Sequence, residues 1–200
     1  SLLVTNGTVD CGTSREMLNA FNGHGTTTVA GNGVLNVNQF RISQCSTAPA
    51  SANAINVNTG GLVRVSNFYI DTTYSRPWGY LNLNGGTLVA NVSRTDFLGT
   101  GQSQWLTNVF VYVLEGGAIL DTEDKSIGIQ QSLYSAALAD GGLTKRGNGT
   151  LTLLNTNTYN GATSVEAGTL KLGVATNTIQ AGGMVWVSSN AVFDVNGKSQ

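Results

Sequence analysis

The sequence predicts an all-β chain wound as a parallel β-solenoid. Short blocks of alternating apolar residues recur along the whole length, and a glycine precedes most of them. The glycine anchors at 33, 61, 86, 117, 149 and 168 stand about 19 to 32 residues apart, the spacing of solenoid coils. Charged residues make up 10% of the chain where about 25% is usual, while Gly reaches 26 of 200 and Pro falls to 2. Such a composition lacks the high net charge of disordered chains, because the formal charge is −1 and branched apolar residues never thin out.

Taken in order, the segment from Ser14 to Asn22, with Arg15, Glu16, Met17, Leu18 and Phe21, breaks the alternation and is expected to form a short helical turn. Gly33-Val34-Leu35-Asn36-Val37 and Gly60-Gly61-Leu62-Val63-Arg64-Val65 then read as strands, with one set of side chains inward and the other outward. Residues 71 to 80, carrying Tyr74, Arg76, Pro77, Trp78 and Tyr80, read as a loop projecting from the stack. Strands return at Leu81 to Val89, Val109 to Val113, Glu115 to Leu120, Gly149 to Leu153, Gly168 to Leu172 and Met184 to Val187. The glycines suit sharp corners where φ is positive, and Asn32, Asn58, Asn84, Asn148 and Asn190 tolerate the same conformation. Stacked Asn side chains also bond from coil to coil. Roughly seven to ten coils at about 4.8 Å each give a rod some 35 to 45 Å long. A sandwich or antiparallel barrel fits less well, since it favours spacings of about 8 to 12 residues and hairpin turns. No linker divides the chain, so residues 1–200 form one continuous segment.

The near-neutral charge supplies no basic field for displacing phosphate counterions, which argues against DNA or RNA as partner. No apolar run reaches the length of a membrane helix, so no membrane contact is expected of this segment. The chain opens at Ser1 with no export signal and reads as a mature or excised piece. Cys11 and Cys45 are too few for a zinc site; a single disulfide between them is the expected role in an oxidising compartment, with two unrelated buried thiols as the alternative.

Chemistry-bearing residues are sparse. Asp121 and Glu123 would share a face of an extended strand, a pairing that acid–base cleavage of glycans could use, but with Asp124 and Lys125 beside them they read better as a solvated corner. His24, flanked by Gly23 and Gly25, reads as an exposed loop residue. No metal or cofactor pattern is present, and the triplets at Asn6, Asn91 and Asn148 are expected by chance in so Asn- and Thr-rich a chain. Tyr69, Tyr74, Trp78 and Tyr80 with Arg76 form the aromatic cluster best suited to recognition, and Tyr74, Arg76, Trp78 and Tyr80 are the candidate ligand-binding residues. Packing of the loop against the rod by Pro77 and Trp78 is the competing account. Trp105 and Trp186 read as core or stacked-ladder residues.

One stretch is more specific. Residues 142 to 170 run Gly142-Leu143-Thr144-Lys145-Arg146-Gly147-Asn148-Gly149-Thr150-Leu151-Thr152-Leu153, then Thr158-Tyr159-Asn160-Gly161-Ala162-Thr163, then Gly168-Thr169-Leu170. That closely resembles the autotransporter-associated β-strand repeat, over residues 142–173, about a sixth of the chain. Ala162 and Ser164 stand where Thr is common in the repeat. The resemblance implies a right-handed, single-stranded parallel β-helix exported to a bacterial cell surface or secreted. Asn196-Gly197-Lys198-Ser199-Gln200 looks like the opening of a further repeat, so a longer parent chain is expected. The function so implied is structural or adhesive, with no enzyme activity: a stiff spacer or self-associating filament segment. Its partners would be neighbouring repeats, copies of itself, or surface glycans and other cell surfaces. A polysaccharide-binding or polysaccharide-cleaving β-helix is the alternative.

Overall fold

The computed structural model describes residues 1–12, 15–19, 25–42, 53–69, 79–99, 108–174, 178–180 and 182–197. Every named element is a β-strand, and every strand pairing is parallel. The chain winds past three faces in turn. On the first lie β5 (Asn53–Asn58), β8 (Gly79–Asn84), β11 (Val109–Val113) and β14 (Leu133–Ser135). On the second lie β6 (Leu62–Val65), β9 (Thr87–Ala90), β12 (Ala118–Asp121), β15 (Leu143–Arg146), β17 (Thr163–Val165) and β19 (Val185–Val187). The long strands β1 (Leu2–Asp10) and β3 (Thr26–Asn36) run through the corner and serve both, which joins the two faces into one 12-stranded sheet. The third face is an 8-stranded sheet of β2 (Glu16–Leu18), β4 (Gln39–Arg41), β7 (Asn67–Tyr69), β10 (Arg94–Leu98), β13 (Ser126–Ile129), β16 (Thr150–Leu153), β18 (Thr169–Leu172) and β20 (Val192–Asp194). A solenoid of parallel coils is thus in place.

The core is a set of ladders running along the coil axis. Ile55, Leu81 and Val111 stack inward on the first face, and Phe40 and Phe68 on the third, with ring centroids 5.8 Å apart. Each fully buried side chain of this kind contributes about 1.5–3 kcal/mol relative to exposure. Parallel pairing in register also gives nearly every strand backbone group a partner in the next coil.

Coil length is not constant. Leu81 faces Val111, thirty residues on, whereas Leu151 faces Leu170, nineteen residues on. In the short coils, side chains replace the first-face strand. Asn157 accepts the Leu133 N–H at 2.9 Å and donates to the carbonyls of Asn155 and Thr178. Buried Tyr159 bonds Thr163 through its hydroxyl at 2.7 Å, and Asp140 accepts the N–H groups of Gly142, Asn160 and Gly161. Asn157 and Tyr159 fall within the stretch read as a repeat, and Asp140 lies just before it.

Several expectations need correction. Glu16 to Leu18, read as helical, form strand β2 and pair with Gln39 to Arg41, because an alternation of only three residues fits either period. Trp186 lies on the outer side of β19 and is 60% exposed, so it is no core residue. The glycines do two different jobs: Gly117 has φ 80°, while Gly149 has no positive φ but leaves no room, since a Cβ there would meet the Lys125 carbonyl oxygen at 1.9 Å. Of the asparagines assigned to left-handed corners, Asn190 alone has a positive φ (66°) among those described.

Candidate binding face

The alternation that buries Leu81, Leu83, Val109, Val111 and Val113 turns the intervening residues outward, and three of those residues are aromatic: Tyr80, Phe110 and Tyr112. Register sets Tyr80 beside Phe110, and Tyr112 beside Tyr134. Ring centroids of Tyr80, Phe110 and Tyr112 lie 6.0, 6.1 and 6.2 Å apart, with planes within 25° of one another. Three such rings stacked in a column would place the outer two about twice as far apart as neighbours. The near-equilateral triangle therefore means shingled, side-by-side rings, a pavement rather than a column. Tyr134 extends it, 6.1 Å from Phe110 and 6.3 Å from Tyr112, tilted by 49° and 54°. All four residues are half-buried.

A polar ladder continues the same face. Asn82 donates to Asn56 at 2.8 Å, and Asn56 donates to Thr28 at 3.1 Å, each bond bridging adjacent coils. Stacked asparagine is realised here, on a flat face and away from the corners. None of β5, β8, β11 or β14 contains a charged residue.

Charge sits on the other two faces and is largely paired. Arg64 meets Glu123 at 2.6 Å and Arg146 meets Glu166 at 2.8 Å from the second face; Arg94 meets Asp96 at 2.8 Å on the third. Arg41 pairs with Glu16, donates to the Tyr69 hydroxyl at 2.8 Å, and lies 5.0 Å from that ring's centroid. Burial, with Glu16 in support, pushes the Tyr69 hydroxyl up to about 12, against the pull of Arg41.

Of the candidate ligand-binding residues, Tyr80 is placed, in strand β8, while Tyr74, Arg76 and Trp78 lie outside the described residues. Tyr69 is on the third face and does not join Tyr80. Gly79, also read as loop, is buried in β8, where a Cβ would meet Ile42 at 2.3 Å. Cys11 is half-buried against the core; Cys45, His24 and Trp105 lie outside the described residues. Asp121 accepts the backbone N–H of Glu123 at 2.8 Å within a turn where Glu123 has φ 49°, and Glu123 is held by Arg64. Both carboxylates thus serve the corner. No group of three or more His, Cys, Asp or Glu among the described residues is placed to hold a metal ion. Sequence reading missed Phe110, Tyr112 and Tyr134; the signal was there in Val109-Phe110-Val111-Tyr112-Val113, whose aromatics must face away from its valines.

Comparison with known proteins agrees with this architecture. Residues 143–172 match the family described as Passenger-associated-transport-repeat. The chain is 30% identical over 176 residues to the Adhesin BmaC autotransporter of Brucella suis biovar 1 (strain 1330), covering 86% of this chain. It spans about 4% of that relative's length. No solved structure matches.

Proposed function

We propose that this chain, which carries an autotransporter passenger repeat within a parallel β-solenoid, is an adhesive segment of a bacterial protein displayed on the cell surface or secreted, and that its first face is the contact surface. The observation that carries the reading is the uncharged pavement of Tyr80, Phe110, Tyr112 and Tyr134, continued by the Thr28–Asn56–Asn82 ladder. Aromatic rings held on rigid strands give large contact area at little conformational cost, and tyrosine adds a polar edge. Similarity to an adhesin supports the assignment, as does the engagement of Asp121 and Glu123 in a turn and an ion pair, which leaves the paired-carboxylate chemistry without its two free groups.

Display of the chain on a non-adherent bacterium, with attachment to host-cell or abiotic surfaces counted, tests this. Tyr112→Ser combined with Tyr134→Ser is expected to lower attachment several-fold while leaving the circular dichroism of the solenoid unchanged. Equal attachment by both forms would assign adhesion to another part of the molecule.

A further inference from the structure

The corners between the second and third faces differ in length from coil to coil. Val37 and Asn38 alone join β3 to β4, and Ser66 alone joins β6 to β7. In the coil before them five residues separate β1 from β2, and the coils after them turn through Asn91 to Ser93 and Thr122 to Lys125. Two short corners between longer ones leave a notch, and the structure has there a groove of about 390 Å³ with Asp10 on one wall and Asn91 and Val92 on the other. That volume lies within the range of small-ligand sites, about 300–1,000 Å³.

Donors and acceptors of both kinds line it, on strand ends and on the short corners between them. Ser66 donates to Asn38 at 2.8 Å, and one Asp10 oxygen accepts the Gly12 N–H at 2.8 Å. Asn91 reaches the Val37 carbonyl only at 3.4 Å, a weak bond that costs little to exchange. Asn36 also lines the groove; its Oδ1 is withdrawn from solvent and has no hydrogen-bond partner. An unsatisfied group of this kind carries a desolvation penalty, and a turn about χ2 would present it to a donor in the groove. Arg64 is already paired with Glu123, and Asp10 adds a negative charge, so the site does not suit an anion. Val92, 40% exposed, offers a small apolar wall.

We infer that this groove binds a neutral sugar unit, whose hydroxyls both donate and accept and whose C–H face packs on valine. The site lies apart from the aromatic face, and the inference stands or falls independently of adhesion there. Saturation-transfer NMR of the 200-residue chain against glucose, galactose, mannose, N-acetylglucosamine and their β-linked disaccharides, each at about 10 mM, tests it. At least one sugar should show transfer, with affinity reduced about tenfold or more by Val92→Trp, which fills the groove from its exposed wall, and by Asn36→Leu, but not by Tyr112→Ser. Should Asn36→Leu fail to fold by circular dichroism, Val92→Trp alone decides. No transfer from any sugar, transfer unchanged by the groove variants, or transfer abolished by Tyr112→Ser would each overturn the inference; loss in the last case alone would move sugar binding to the aromatic face.

Discussion

Lys145 occupies an inward position on β15, in register with Leu120 in the coil before and Val165 in the coil after. A charged side chain in a ladder of aliphatics needs compensation, and its Nζ finds it at the corner, donating to the carbonyls of Arg146 and Gly147 at 2.7 Å and of Ala167 at 3.1 Å. Burial pulls the ammonium down to about 8, against the weaker opposing field of Asp121. The unfolded lysine titrates at about 10.4, so between those two values the unfolded chain holds more protons and stability rises with pH. Below about pH 8 both states are charged and this lysine adds no pH dependence. Lys145→Met keeps the length but leaves the Gly147 and Ala167 carbonyls without that donor. A loss of about 1–3 kcal/mol at pH 7 is expected, together with a flatter stability profile between pH 8 and 10, both read from urea midpoints. A methionine form as stable as the parent would mean that desolvation of the ammonium cancels the worth of its three bonds. The burial of Lys145 is not visible in the sequence: alternation marks the position as inward, and composition argues that lysine belongs outside.

Among the elements, the corners set what each coil can carry. Gly149 closes the turn from β15 into β16, with the Lys125 carbonyl oxygen 1.9 Å from where a Cβ would stand. The obstacle is backbone of the adjacent coil, so relief requires the coils to part. Gly149→Ala is expected to destabilise by about 2–3 kcal/mol, whereas Gly182→Ala, at a positive φ of 77° with nothing within 4 Å, should cost less; comparative urea unfolding checks the order. If Gly182→Ala proves the more damaging, backbone strain outweighs coil contact at these corners. Strand positions were largely legible from sequence because the period of two is local and the anchoring glycines recur. The error at Glu16 to Leu18 and the loop reading of Gly79 and Tyr80 have one cause: a strand of three residues, or the first two residues of one, carries too little pattern to be told from its neighbours, and pairing with the adjacent coil decides.

On the scale of the whole molecule, charge is segregated. The second and third faces hold the ion pairs, which keep those surfaces hydrated, while the first face holds rings, amides and hydroxyls. A flat uncharged face can meet the same face of another copy with no charge to desolvate, so we propose that the rods also associate side by side. Sedimentation velocity across a wide concentration range should show association that is insensitive to salt and suppressed by Tyr112→Arg, which sets like charges opposite one another in a pair. A monomer at every concentration would refute the proposal, and association that salt abolishes would shift it to the charged faces.

What the sequence by itself determined was the class of fold and the side of the strand on which most residues stand, because both follow from short-range periodicity and from glycine at corners. Only the tertiary structure decided which residues meet. Coils of nineteen to thirty-three residues have no fixed offset, so register had to be set by packing in the core. That register brings Tyr80 to Phe110 and Tyr112 to Tyr134, carries the Lys145 amine to carbonyls of two successive coils, and opens a groove where two corners fall short of their neighbours.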